Sequence, residues 1–292
     1  MSKKVLITGA TGRTGRAAVR EAIALGLDVR AMVRKIDERS EALAAQGAEV
    51  VVGDVLDIDS IRAALEGIEA AYFVYPVAPG LITATANFAQ AAKEAGTKAV
   101  LNLSQRSQNR YSTSDSSRDT YIAEQVFNWS GVPVIHLRPT NFLEWLLYPW
   151  NLPYLQRGVL RIPGGKGRHS PIAADDQGRA IAALLNAPEG HIGTVIDLSG
   201  PVEMDYEQMA AELSEALGRK IVYQDLPIEE YTAALTQMGL RAYLVQHFGG
   251  AMLDYQQGHM AGADNNVEQL TGRRSMTVGE FAKVHADKFN AN

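Results

Sequence analysis

The sequence has no cysteine among its 292 residues, which excludes a disulfide framework, a thiolate nucleophile and a thiolate metal site. Its six histidines, His136, His169, His191, His247, His259 and His285, never fall three or four residues apart. No two imidazoles therefore share one face of a helix, and no metal site is expected. No uninterrupted apolar run is long enough to span a bilayer, and Ser2-Lys3-Lys4 leads into a strand pattern without the apolar segment of a secretory leader. A cytoplasmic protein with no membrane partner is the expectation. Charge of one sign is also scarce: 28 Lys and Arg stand against 33 Asp and Glu, a formal charge of -5. The densest basic stretch, Arg157, Arg161, Lys166 and Arg168, is interrupted by glycine and proline and reads as an exposed loop, so nucleic acid is not an expected partner.

What is present begins at Lys4-Val5-Leu6-Ile7-Thr8, a strand pattern that breaks into Gly9-Ala10-Thr11-Gly12-Arg13-Thr14-Gly15. The first glycine permits a tight turn, the middle one lets backbone approach an anion, and Gly15 lets the following helix pack closely. The amides at that helix start then face a pyrophosphate. The context supports this reading, because Ala17 to Leu25 continues as an apolar helical face and Asp28 to Val33 supplies the next strand. Where an NAD site would place an acidic residue at the end of the second strand, this chain has Arg34 followed by Lys35. With Arg13 in the glycine loop, these groups are expected to surround a 2'-phosphate, which selects NADP(H). Asp28 lies too far back to take the acidic role.

The first half alternates strands and helices. Strands are expected at Val5 to Thr8, Asp28 to Val33, Glu49 to Gly53, Ala70 to Tyr75, Lys98 to Ser104 and Pro133 to Arg138. Helices are expected around Arg13 to Leu25, Glu38 to Gln46, Ile58 to Glu66, Leu81 to Ala95 and Arg118 to Ser130. This repetition predicts an α/β fold, a Rossmann-like doubly wound parallel sheet covered on both faces. A smaller, mostly helical C-terminal lobe follows, with helices at Tyr206 to Leu217, Ile228 to Met238, Arg241 to Gln256 and Val278 to Phe289. The dinucleotide-binding domain is expected over residues 1–150, with elements returning to it from about 171–198, and the substrate-binding lobe mainly over 151–292. Phe142 to Leu155, rich in aromatics and broken by Pro149 and Pro153, connects the two.

Ligands of an open parallel sheet bind beyond the C-terminal strand ends. That rule selects Asp54 for the adenine, Tyr75, Pro76 and Val77 as a cover, Ser104 with Gln105 facing the nicotinamide, and Pro139, Thr140, Asn141 and Phe142 closing over the ring. Each alone is equally a strand terminus. Tyr121, seventeen residues past Ser104, can reach the same pocket, but Gln125 replaces the lysine that would favour a phenolate, and Glu124 brings the opposite charge. Glu124 reads as structural or solvated. Ser104, Asn141 and Tyr121 remain the candidates for contacting a reacting oxygen. Phe142, Trp145 and Trp150 are candidates for stacking on a substrate, though a core would use them equally well. The polar loop from Arg106 to Ser117 reads either as a mobile lid or as a loop without catalytic duty.

Together, Gly9 to Gly15, Val33-Arg34, Gly53-Asp54, Phe73 to Gly80 (FVYPVAPG), Leu101 to Gln105 (LNLSQ) and Leu137 to Glu144 (LRPTNFLE) resemble the NmrA-like family of atypical short-chain dehydrogenases/reductases. Quinone and triphenylmethane dye reductases using NADPH belong there, and the festuclavine dehydrogenases look like more distant relatives. The resemblance covers essentially the whole chain. It implies NADP(H) in the cleft, with pyrophosphate on Gly9 to Gly15, 2'-phosphate on Arg34, and Phe73 to Tyr75 and Pro139 to Glu144 lining the cofactor. The expected activity is NADPH-dependent reduction of an aromatic or electron-poor small molecule, with a homodimer as a compatible assembly. Some family members sense redox state instead, so an NADP(H)-sensing protein that binds a protein partner is the alternative.

Overall fold

The computed structural model describes residues 2–290, so the first and the last two positions of the expected domain ranges lie outside the described residues. Strands that are apolar on both faces need cover on both sides, and Val5, Leu6 and Ile7 are each fully buried. They belong to β1 (Lys4–Ile7), an inner strand of a parallel sheet completed by β2 (Asp28–Val33), β3 (Glu49–Val52), β4 (Ala70–Phe73), β5 (Ala99–Leu103), β6 (Val134–Pro139) and, after β7 (Val159–Arg161), β8 (Val195–Leu198). The order across the sheet is β3-β2-β1-β4-β5-β6-β8, with every pairing parallel. This is the Rossmann-like doubly wound arrangement that the alternating pattern predicts.

One face of the sheet is covered by α1 (Arg13–Ala24), α2 (Glu38–Ala44) and, beyond α3 (Ile58–Leu65), α4 (Leu81–Ala95), α5 (Asp115–Ser130) and the short α6 (Leu152–Gln156), by α7 (Ala174–Asn186). The other face is covered by α3, α4 and α5, whose Ile61, Phe88 and Phe127 share a core with Phe73. Strand alternation explains the division: Tyr72 joins the first core and Phe73 the second.

The C-terminal region contains α8 (Tyr206–Leu217), β9 (Val222–Gln224), α9 (Ile228–Gln237), α10 (Ala242–Gln256), α11 (Asn266–Thr271), α12 (Val278–Val284) and α13 (Ala286–Phe289). β7 and β9 pair in parallel as a small second sheet. Each is three residues long, too short to show an alternating pattern, and neither was expected. α11 was not expected either. It runs back to the large sheet, where Asn266 donates to the Asp197 carbonyl at 2.8 Å and Val267 enters the first core. The expected helix from Val278 to Phe289 divides at His285. Among the described residues, no helix is long and apolar enough to cross a membrane.

α1 and α7 cross at Gly178, where an added Cβ would lie 2.4 Å from the Ala17 Cβ and 2.7 Å from its backbone carbon. Alanine normally improves a helix by about 1 kcal/mol over glycine. Here overpacking outweighs that gain, because both helices are anchored to the same sheet. Gly178→Ala is expected to lower stability by about 1–3 kcal/mol, measured by urea denaturation. An unchanged or higher midpoint would show that the crossing opens without cost.

Candidate active site

The glycine loop is held by its own backbone. Gly9 has a φ of +56° and an added Cβ there would meet Val74 at 2.6 Å. A Cβ at Gly15 would sit 2.2 Å from the Gly9 carbonyl oxygen, while Gly12 N–H donates to that same oxygen at 2.8 Å. The first turn of α1 holds no acidic residue, and Gly12 offers no side-chain cap. By contrast, aspartates cap α2, α3 and α8. The amides of Arg13, Thr14 and Gly15 thus remain available to an anion, and the loop admits backbone close to it. These features fit the pyrophosphate of a dinucleotide.

Arg34 and Lys35 are exposed at the end of β2, and among the described residues neither is paired with a carboxylate. Arg13 does not join them. Its guanidinium lies over the Tyr148 ring, 5.1 Å from the centroid, and its charge acts on Glu144. The three-cation cluster expected around a 2'-phosphate is therefore reduced to Arg34 and Lys35. Asp54 is exposed, and its Oδ1 accepts from Leu56 N–H at 2.9 Å, turning the β3–α3 loop.

A cavity of about 520 Å³ opens beyond the ends of β4, β5 and β6. Thr14 of the glycine loop lines one part of it, as do Val74, Tyr75, Ser104, Gln105, Pro139, Thr140, Asn141 and Phe142. The structure therefore gathers most of the strand-end candidates at one place. Phe73 is an exception, fully buried in an aromatic group with Phe88 and Phe127 at centroid distances of 4.9 and 5.5 Å. Tyr121 is another: Ser116 and Thr120 are the α5 residues that face the cavity. They are four apart and share a helix face, while Tyr121 is one position out of phase.

Ser104 is tied inward. Its hydroxyl donates to Glu124 Oε1 at 2.5 Å, and the same carboxylate receives a two-pronged contact from Arg138, at 2.9 and 2.6 Å. Glu124 is almost completely buried. It is thus the centre of a network joining the end of β5 to β6 through α5, and Arg118 pairs instead with Asp115. With its proton committed to Glu124, Ser104 presents oxygen lone pairs to the cavity. Asn141, also buried, leaves its amide nitrogen without a hydrogen-bond partner. Beside it, Glu144 accepts the Ala174 amide at the start of α7, at 3.0 and 3.1 Å, and burial pushes its carboxyl above the ordinary range.

Aromatic side chains form the far wall. Trp145 and Trp150 both line the cavity and meet Phe248 of α10 edge-on, at 5.2 and 5.5 Å, while Tyr148 meets Trp150 at 4.8 Å. Leu244, His247, Phe248, Ala251 and Met260 complete this wall from the C-terminal region. The sequence reading missed all five, having no signal that paired α10 with the β5–α5 loop. That loop is strapped to α10: Ser112 donates to Asp254 at 2.6 Å, Ser114 meets His247 Nδ1 at 2.9 Å, and Asp115 N–H donates to Gln246 at 3.0 Å. These bonds, the first two of them buried, argue for a fixed wall in place of a free lid.

The sequence profile of the NmrA-like family matches residues 1–271. The chain is 29% identical over 287 residues to an NAD(P)H azoreductase of Xenophilus azovorans, covering 98% of this chain and 99% of that protein. It is similar to an NADPH-dependent quinone oxidoreductase of Escherichia coli solved with NADPH, with a TM-score of 0.84, 26% identity and coverage of 96% and 99%. A negative transcriptional regulator, NmrA, solved with NAD, shares the fold at a TM-score of 0.83 and 17% identity, covering 100% of this chain and 98% of that one.

The Glu124 network carries its own test. Glu124→Ala leaves Arg138 facing a vacated, buried position and is expected to cost about 3 kcal/mol. Glu124→Gln keeps an acceptor for Ser104 and Arg138 and should cost clearly less. Denaturation of the two variants separates these outcomes, and equal losses would mean that the carboxylate charge, and not hydrogen-bond acceptance, holds the network together.

Proposed function

The chain belongs to the NmrA-like family, and from that membership and the cavity we propose that it is an NADPH-dependent reductase of a flat, electron-poor small molecule such as a quinone or a dye. The observation that carries the reading is the continuity of the cavity, from Thr14 on the phosphate-binding loop past Ser104 and Asn141 to Trp145 and Trp150. A dinucleotide and an aromatic acceptor can lie end to end in such a space. When bound, NADPH would supply a hydride. The protein's part is orientation: holding a carbon of the acceptor within about 3–3.5 Å of the donor contributes strongly to rate without an acid-base triad.

In this reading Gly9, Thr11, Gly12, Thr14 and Gly15 hold the pyrophosphate, with Arg13 beside it, and Arg34 and Lys35 bind the 2'-phosphate. Val74, Tyr75, Pro139, Thr140 and Phe142 enclose the nicotinamide half, and Asn141 and Ser104 orient its polar edge. Trp145 and Trp150 form the stacking surface for the acceptor. The relative names support a reductase of aromatic acceptors, since one acts on azo compounds and another on quinones.

Anaerobic NADPH oxidation across quinones, azo dyes, cationic dyes and aldehydes tests the reading. Acceptor-dependent loss of nicotinamide absorbance is expected. If no acceptor is reduced while a protein partner binds only one redox form of the cofactor, the chain is a sensor. Arg34→Ala is expected to weaken NADPH by about 2 kcal/mol, roughly thirtyfold, through a lost charge-assisted contact, and to leave NADH nearly unchanged. Arg13→Ala should weaken both alike. Calorimetry with the two cofactors reads the difference, and equal losses for Arg34→Ala reject the NADPH assignment. Tyr121→Phe, away from the cavity, should retain turnover within about tenfold; a collapse of turnover with intact folding and NADPH binding would restore the phenol to the mechanism.

A further inference from the structure

Among the described residues, His247 is the one imidazole that lines the cavity, and it is nearly buried there. Its position is set by three contacts at the start of α5. Ser114 Oγ lies 2.9 Å from His247 Nδ1. The neighbouring Gln246 accepts Asp115 N–H at 3.0 Å. One turn further along α10, Gly250 lies so close to Ser114 that a Cβ would fall 2.6 Å from the Ser114 nitrogen. The ring is thereby held against a rigid helix start.

The hydrogen bonds also favour one tautomer. Ser114 caps α5, and its oxygen already accepts Ser117 N–H at 3.1 Å. Among the described residues, the remaining acceptor for the Ser114 hydroxyl proton is His247 Nδ1. Nδ1 then carries no proton, and the ring hydrogen is on Nε2. Among the described residues Nε2 has no hydrogen-bond partner, yet it is not sealed from solvent, and the ring that carries it lines the cavity. Burial pushes the imidazole down to about 4, so the ring is neutral near pH 7. Ser104 cannot fill the same role, because its hydroxyl already donates its proton to the Glu124 carboxylate in a hydrogen bond.

We propose that His247 is a substrate-binding catalytic residue: its Nε2–H donates a hydrogen bond to the acceptor atom, a carbonyl oxygen or azo nitrogen, on which negative charge develops during reduction. This rests on the reductase reading and narrows its substrate. Among the described residues, no carboxylate lines the cavity, and the one formal cation that does, Arg106, is engaged by the Ala261 carbonyl at 2.7 Å. A neutral acceptor carrying a hydrogen-bond-accepting atom fits this lining better than a cationic dye. The electron balance is simple: the hydride leaves NADPH, which becomes NADP⁺, and the two electrons reduce a quinone to its hydroquinone anion, which takes its remaining proton from water. His247 keeps its own proton and stabilises the anion.

Menadione is a suitable probe, with ¹⁵N-histidine-labelled protein and the His247→Phe variant to assign the resonance. A neutral Nε2–H tautomer is expected, with the Nε2 signal shifting when menadione is added without NADPH. His247→Phe should keep NADPH affinity and fold while lowering kcat/KM for menadione by about a hundredfold, the scale of a single oxyanion donor. His247→Asn, which restores an N–H, should recover part of the loss. A proton found on Nδ1, or an Nε2 signal unmoved by menadione, overturns the proposal whatever the activity. So does an unchanged rate in His247→Phe. If menadione shifts Nε2 but no acceptor in the panel oxidises NADPH, the reductase reading fails and the donor assignment stands as a binding contact.

Discussion

In a sheet whose seven strands all run one way, every chain that leaves a strand does so from the same edge. That directional constraint organises the molecule. It brings the glycine loop after β1, Arg34 after β2, Val74 after β4, Ser104 after β5 and Asn141 after β6 to one rim, although they span more than a hundred residues of sequence. It also requires helices on both faces to complete the crossovers, and so makes the close crossing of α1 and α7 at Gly178 a condition for the rim to keep its shape. The smaller region needs only to lay α10 across that rim to turn an edge into a cavity.

Polar groups along the rim are arranged by what each has left to offer. Where charge is neutralised internally, as in the Glu124–Arg138 pair with Ser104 attached, the result is rigidity between β5, β6 and α5. Arg34 and Lys35, without carboxylate partners, have the capacity to meet an anion from outside. Arg13 falls between these cases, because the Tyr148 face and the Glu144 charge hold it while leaving its position at the start of α1 intact. A buried carboxylate such as Glu144 needs such company: it accepts the Ala174 amide, which anchors the start of α7 beside the cavity.

Backbone requirements were the part of the site most legible in the sequence. Gly9 and Gly15 announce a fold because no side chain fits where they stand, and the strand and helix alternation of residues 4–139 follows from hydrophobic period alone. Side-chain phase was harder to read. Sequence distance from Ser104 put Tyr121 within reach of the cavity, whereas Ser116 and Thr120 are the α5 residues that line it. The resemblance likewise implied that Phe73 lines the cofactor, whereas alternation sends it to the opposite core from Tyr72. Long-range partners left no local mark at all. Nothing near His247 in the sequence indicates Ser114, and nothing near Glu124 singles out Arg138, since each pairing exists only after separate elements have docked.

The aromatic wall shows why a residue can be read correctly as both core and site. Trp145 and Trp150 contact Phe248 edge-on and belong to the small core formed with α9 and α10. That packing fixes ring planes that a mobile side chain would leave undefined, and the faces turned to the cavity inherit the order. Orienting a flat acceptor requires such preset surfaces, because the rate gained from proximity depends on geometry held before the reaction begins. The same docking of α10 brings His247 against Ser114. Stability and recognition are therefore coupled here through one contact: loosening α10 would disorder the stacking wall and release the imidazole together, while leaving the glycine loop and the dinucleotide end untouched.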